Sequence, residues 1–136
     1  MTYLLDTNVC IALINDASSK VRARFVQAAR IKSIIATSSI VAHELWYGVA
    51  KSKLVAQNAQ ALAAFLGSEV VLFDYSEQDA RAAGEIRAEL ERQGQRIGEY
   101  DTLIAGQAFS KNLILVSANT REFERVRGLA VEDWTV

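Results

Sequence analysis

Short apolar runs alternate along the chain with longer stretches in which apolar residues recur every three or four positions. Continuous, β-branched apolar runs are typical of buried strands, whereas the longer period is typical of helices. Four strands are predicted, at residues 2–5 and in the segments IKSIIAT, EVVLFDY and LILV, with a short fifth in LAVEDW. Strands that alternate with helices form a mostly parallel sheet with both faces covered. We therefore predict a single three-layer α/β/α domain over residues 1–136.

The predicted helices are bounded by capping residues. Asn8 is the predicted cap of the first helix, Ser38 or Ser39 that of the third, and Ser76 with Asp79 resembles a capping box. The predicted helices run through residues 9–16, 21–29, 39–51, 54–66, 77–93 and about 100–109.

Acidic residues occur where these elements join. In a parallel sheet, ligands collect beyond the carboxyl ends of the strands, which is where Asp6 and the SANT segment lie. Asp101 falls in the first turn of its helix. The helical spacing of Val41, Glu44 and Leu45 places the Glu44 carboxylate at the margin of a buried stripe. The candidate site residues are therefore Asp6, Glu44, Asp101, Asn119 and Glu122.

Each acid alone also has a structural explanation. Asp6 suits a turn or a helix cap, Asp101 is favoured by the helix dipole, and Glu122 suits an exposed surface. Glu44 differs, because a carboxylate beside an apolar stripe costs free energy unless it is paired or ligated. Gathered at one sheet edge, the acids would repel one another unless a cation neutralised them, and Mg²⁺ prefers such oxygen ligands. This cluster of acids predicts a site for phosphoryl transfer, in which Mg²⁺ activates a water for in-line attack on phosphorus.

The composition limits the partners and the location. A net charge of −1 gives no overall field that attracts nucleic acid, so phosphate contacts depend on local residues such as Arg87 and Arg121. A hydrophobic share of 51%, with Trp46 and Tyr47 to be covered, predicts a partner surface and a homodimer. Cys10 is the only cysteine, which excludes an intrachain disulfide and suits a reducing compartment. No apolar stretch approaches the roughly 18 residues of a membrane span, so we expect a cytoplasmic protein.

Several motifs resemble those of a known family. The segments LLDTN, HELWYG after a serine-rich turn, IRAELERQG, IGEYDTLIAGQA and LILVSANTREFERVRGLAVEDW look like those of PIN-domain ribonucleases, specifically the VapC toxins of toxin–antitoxin pairs. The similarity covers nearly the whole chain in order. It implies a Mg²⁺- or Mn²⁺-dependent endoribonuclease with a PIN fold and a VapB-type antitoxin as partner. The closing segment resembles that of enzymes that cut the tRNA anticodon stem-loop, initiator tRNA among them.

The resemblance also implies roles for individual residues. Asp6 and Asp101 match the principal metal-binding aspartates of the family, and Glu44 matches its acid on the third helix. Asn8 matches a polar position that supports the metal ligands.

Three positions depart from the family pattern. Many PIN domains have an aspartate where this chain has Asn119, and they place the next acid one residue before Glu122. Glu99 stands where close relatives often have proline, and it adds an acid next to the candidate site.

Two other functions remain open on the sequence. A receiver domain also gathers acids and Mg²⁺ on a parallel sheet, with Asp74 as the candidate phosphate acceptor, but it needs a lysine after a later strand and none follows LILV. The second is a binding module without catalysis, against which the intact acids argue. His43, the only histidine, adjoins Glu44 and is a candidate base. Successive helical residues point about 100° apart, so it is not expected to face the acids.

Overall fold

The computed structural model describes residues 1–136. Its strands are β1 Thr2–Leu5, β2 Ile34–Ser38, β3 Val71–Phe73, β4 Ile114–Val116 and β5 Val131–Glu132. Its helices are α1 Thr7–Ile14, α2 Ser19–Arg30, α3 Ser39–Ala50, α4 Val55–Leu66, α5 Glu77–Arg92, α6 Glu99–Ser110 and α7 Thr120–Phe123. No helix combines the length and the apolar character that crossing a membrane would require.

All five strands run parallel, in the order β3-β2-β1-β4-β5. β1 is central, and its last residue, Leu5, is level with Thr37 of β2 and Val116 of β4. The chain moves from β1 outwards to β3, returns across the sheet to β4, and then moves outwards on the other side. The strand order therefore reverses between β1 and β4, which is the position where α/β sheets bind ligands.

Helices cover both faces of this sheet. Right-handed crossovers place α1 to α4 on one face and, because the direction of winding reverses, α5 to α7 on the other. The central strands are the core of the protein, since Leu4, Leu5, Leu115 and Val116 have no exposed surface. The predicted three-layer α/β/α domain is confirmed, and its sheet is parallel throughout.

Three local predictions are wrong or incomplete. α1 is capped by Asp6, whose Oδ1 accepts a hydrogen bond from the Val9 backbone N–H at 2.9 Å, and not by Asn8. The carboxylate that follows β1 reaches the free N–H groups of the next helix, so α1 begins two residues before the predicted start. β3 covers three residues of EVVLFDY because it lies at the sheet edge and pairs only with β2. The four residues of α7 are too few to show a periodic apolar pattern, and this helix was not predicted.

α5 and α6 pack closely because small residues face each other between them. A Cβ added to Gly106 of α6 would lie 2.5 Å from the Cβ of Ala83 on α5. One residue further along, Gln107 donates a hydrogen bond from Nε2 to the buried Asp79 carboxylate at 3.2 Å. The capping box predicted for Ser76 and Asp79 is confirmed. These contacts fix the position of α6, whose first turn borders the reversal point of the sheet.

Candidate active site

Asp6 lies at the centre of the sheet edge, directly after β1. Its backbone N–H donates to the Val116 carbonyl of β4, and its buried side chain caps α1 through Val9. Burial raises the pKa of the Asp6 carboxyl, hydrogen bonds from Ser117 and Val9 oppose this rise, and the charge of Glu44 adds to it. A buried carboxylate with a raised pKa is stabilised in its charged form by any cation placed next to it.

Glu44 lies on α3, close enough to Asp6 for their charges to interact. Its Oε1 accepts a hydrogen bond from Thr7 Oγ1 at 2.7 Å, so the first residue of α1 orients the carboxylate. Val41 and Leu45 on the same face of α3 are buried, whereas Glu44 is half-buried. The acid therefore stands at the margin of the buried stripe, as the spacing predicted.

Asp101 occupies the first turn of α6 and interacts with all the other acids. Burial and then the charges of Glu122, Asp6 and Glu44 raise the pKa of Asp101 to about 6, while a hydrogen bond from Asn119 opposes the rise. Asp101 therefore lies at the middle of the cluster, because the charges of three other carboxylates act on it.

Asn119 connects two of the acids. Its Nδ2 donates to Glu122 Oε2 at 2.7 Å and to Asp101 Oδ2 at 3.3 Å. Its backbone N–H donates to Ser117 Oγ at 3.0 Å, and α7 begins at the next residue. The short helix turns Glu122 towards the amide of Asn119, so all five residues predicted from the sequence lie in one cluster.

Two polar residues that were not predicted also contact the acids. Thr7 holds Glu44, and hydrogen bonding by Ser117 lowers the pKa of Asp6. Both carry a hydroxyl within two residues of a strand end, in LLDTN and in LVSAN, and this position is the only sequence signal that points to them. Asn8 is exposed, and its contact with Asp6 is made by its backbone N–H.

His43 contacts an aromatic residue and none of the acids. Its Nε2 lies 3.2 Å from Tyr100 Oη, and the two exposed rings have centroids 5.6 Å apart. This arrangement agrees with the expectation that His43 and Glu44 point in different directions. Trp46 and Tyr47, on the same helix, are 41% and 61% exposed, so they belong to the surface of the single chain and not to its core.

The donor set of the cluster suits a divalent cation in charge and ligand type. None of the ion pairs in the protein involves Asp6, Glu44, Asp101 or Glu122. The side chains stand apart, and no three acidic, histidine or cysteine residues surround one point closely enough to hold a metal as they are placed. Because Mg²⁺ usually takes one or two carboxylates and completes its shell with water and phosphate, the residues fit this ion.

The chain matches the PIN domain family over residues 3–129. It is 42% identical over 135 residues to a Shigella flexneri protein named tRNA(fMet)-specific endonuclease VapC, with 99% of each chain aligned. A Salmonella typhimurium protein of the same name is 41% identical, with 98% of each chain aligned.

Solved structures show the same fold. A chain in the crystal structure of VapBC2 from Rickettsia felis, bound to a promoter DNA fragment, has a TM-score of 0.92 and 41% identity, covering 98% of this chain and 99% of that one. A chain of DNA-bound VapBC from Salmonella typhimurium has a TM-score of 0.90 and 40% identity, covering 98% of both chains. The agreement in sequence and in fold extends over almost the full length of each chain.

Proposed function

Because the chain belongs to the PIN-domain family, we propose that it is a metal-dependent endoribonuclease and the toxin of a toxin–antitoxin pair. The observation that carries this proposal is the cluster of four carboxylates at the reversal point of the sheet, without a basic partner. Relatives that align over their full length are named as endonucleases, which supports the reaction class.

Asp6 and Asp101 are the proposed metal ligands, and Glu44, Asn119 and Glu122 complete the catalytic set. A Mg²⁺ or Mn²⁺ ion held there would supply positive charge and activate a water for in-line attack on a phosphodiester. We propose one firmly held ion, with a second recruited mainly by RNA.

The protein's own contacts prepare this site before substrate arrives. The cap on α1 fixes the Asp6 carboxylate, and Thr7 orients Glu44 towards it. Asn119 donates a hydrogen bond to both Asp101 and Glu122, so it keeps these two acids on the same side of the site. Asn8, exposed beside Asp6, is proposed to support the metal ligands from the solvent side.

The proposed substrate is tRNA, cut in its anticodon stem-loop. Two relatives at 41–42% identity are named tRNA(fMet)-specific. Since water is the proposed nucleophile, the products carry 5′-phosphate and 3′-hydroxyl ends. The proposal places the protein in the cytoplasm, where tRNA is found.

The proposed partners are a VapB-type antitoxin and a second copy of the chain. Similar chains were solved in VapBC complexes, which supports the antitoxin. A groove of about 520 Å³ runs between α1, α3 and α4, is lined by apolar residues such as Ile11 and Val49, and reaches Glu44. An antitoxin segment lying along this groove would cover the acids with its end. The exposed aromatic residues of α3 support a homodimer.

Purified protein is to be incubated with total tRNA in Mg²⁺ and in EDTA, and the ends of the products mapped. We expect cleavage only with the metal, and its loss in Asp6→Asn and Asp101→Asn. Asparagine also caps helices well, so the Asp6 variant should remain folded. Glu77→Gln, an exposed acid in the first turn of α5, is the matched control and should cleave normally.

Contrary results would point to the alternatives. A folded Asp6→Asn protein with undiminished cleavage contradicts the metal assignment. RNA binding without cleavage in any metal indicates a binding module. Cyclic phosphate ends indicate attack by the RNA 2′-hydroxyl, and the cleavage rate of His43→Ala then tests whether His43 takes part. The receiver alternative is disfavoured because Asp74 follows the edge strand β3, not a middle strand. Growth arrest on expression, relieved by the neighbouring small gene, tests the toxin role.

A further inference from the structure

A ribonuclease must attract a polyanion, yet the proposed site of this chain is itself negative. Its four carboxylates have no basic partner, and the whole chain has a net charge of −1. Affinity for nucleic acid comes mainly from positive side chains that neutralise phosphates. These charges must therefore come from residues near the acids that are not part of the cluster.

Two cavities are lined by a residue of the acidic cluster or by its direct neighbour in the sequence. The groove between α1, α3 and α4 includes Glu44 but is lined by no lysine or arginine. The other cavity is a cleft of about 310 Å³ between α5 and α6, whose wall includes Thr102, the residue after Asp101. Arg87 and Arg96 also line this cleft. Of the two, only the α5–α6 cleft offers positive charge.

One carboxylate positions both arginines. Glu91 Oε2 lies 3.2 Å from Arg87 Nε and 3.7 Å from Arg96 Nε. The two arginine side chains remain 57% and 61% exposed. Both ion pairs join Glu91 to an Nε atom, and the nitrogens of an exposed guanidinium can bind phosphate oxygens in pairs.

A third arginine supports the backbone that carries Arg96. Arg125 donates a hydrogen bond from NH1 to the Arg96 carbonyl at 2.9 Å, which joins the segment after α7 to the loop before α6. The charged residues that line the cleft are Arg87, Arg96 and Glu99. The lining therefore carries one more positive than negative charge, in contrast to the acidic cluster.

We propose that the α5–α6 cleft binds the phosphodiester backbone of the substrate RNA and leads the strand to Asp101. Arg87 and Arg96 each contact a phosphate, and Arg125 supports the backbone that carries Arg96. Glu99 opposes this binding, because it brings a negative charge to the same wall. The inference rests on the proposed nuclease function and adds to it the surface that holds the substrate.

The test is the binding of fluorescein-labelled tRNA, measured by anisotropy in EDTA over a series of KCl concentrations. The parent protein is Asp6→Asn, which binds without cleaving. Three changes are compared in this background: Arg87→Gln together with Arg96→Gln, Glu99→Gln, and Arg81→Gln. Arg81 is the matched control, because it is exposed on α5 and paired with a glutamate as Arg87 is, but it does not line the cleft.

We expect the double arginine variant to bind about tenfold more weakly or worse at 0.1 M salt. It should also lower the slope of log affinity against log salt concentration by roughly 0.7–0.9 for each arginine. Glu99→Gln should tighten binding, and Arg81→Gln should match the parent. Since exposed ion pairs contribute little to folding stability, all variants should unfold at the parent's urea midpoint. A lower slope of log affinity against log salt concentration then reports lost phosphate contacts and not unfolding.

Three results would overturn the assignment. The first is an unchanged salt slope in the double variant, or a loss of RNA affinity in Arg81→Gln equal to that of the double variant. If the parent binds RNA, this result excludes the cleft as the RNA-binding surface but does not contradict the nuclease function. Normal RNA binding by the double variant together with lost binding of the antitoxin assigns the cleft to the protein partner. If the unmutated chain neither binds nor cuts any RNA, the proposed function and this inference fall together.

Discussion

Replacing Asp101 by asparagine should make the metal-free protein more stable at pH 8 while it abolishes cleavage. Burial and the neighbouring carboxylates raise the pKa of Asp101 from its ordinary 3.8 to about 6, so folding disfavours its ionised form. An acid whose folded pKa lies above its unfolded pKa loses stability as pH rises from the unfolded value through the folded one. The destabilisation is therefore absent below about pH 4 and complete above about pH 6.

The size of the effect follows from the shift. Two pKa units correspond to about 3 kcal/mol, and the partial exposure of Asp101 reduces this to about 1–2 kcal/mol. Asparagine also removes a negative charge from the first turn of α6, which costs about 0.3–1 kcal/mol. We expect a net gain of about 1 kcal/mol, equivalent to roughly 3 °C in melting temperature for a chain of this size.

Urea unfolding in EDTA at pH 4 and pH 8 measures the difference, with Asp74→Asn as a control of equal charge change at the far edge of the sheet. The gain in stability of Asp101→Asn should be present at pH 8 and absent at pH 4. The Asp74→Asn control should show no gain at either pH. Added Mg²⁺ should narrow the gap, because it binds and stabilises the unmutated protein more strongly. An Asp101→Asn protein that is no more stable than the unmutated chain at pH 8 in EDTA would refute the proposed repulsion among the acids.

Four further outcomes are expected. Gly106→Ala should destabilise the protein by about 1–3 kcal/mol in urea unfolding, since its Cβ would meet the α5 backbone at 2.6 Å. Gly84→Ala, which meets nothing within 4 Å, should stabilise it by up to about 1 kcal/mol, and a loss there would contradict the packing argument. Glu122→Gln should slow cleavage less than Asp101→Asn, and equal losses in single-turnover rates would show that the ligands are ranked wrongly. Ile11→Glu should cleave normally yet escape the antitoxin in a co-expression assay, and retained inhibition would exclude the α1–α3–α4 groove as the antitoxin's place.

The acidic cluster was predictable because its members follow elements with strong patterns. Asp6 ends a wholly apolar run, and Glu44 sits in a helical period, so the position of each on the sheet edge follows from the sequence. Parallel strands bring their carboxyl ends to one side, which is why residues distant in the chain could be assigned to one site.

The contacts between these side chains were not predictable in the same way. Thr7 and Ser117 act through hydroxyls at strand ends, where serine and threonine are common for many structural reasons. Asn119 and Glu122 meet only because α7 forms, and a helix of four residues leaves no periodic signal. The cleft between α5 and α6 depends on the contact of Gly106 with its partner helix, which no local pattern contains.

The order of the strands has a consequence for the synthesis of the protein. β1 is made before the other strands and lies at the centre of the sheet, but β4, its neighbour on one side, begins only at Ile114. Asn119 and Glu122 follow β4, so they reach Asp6 only after residues 1–122 have been made. Parallel pairings between distant segments are also slow to form. The acidic cluster is therefore incomplete on any nascent chain that ends before Glu122, so the proposed nuclease activity cannot appear before that residue has been made.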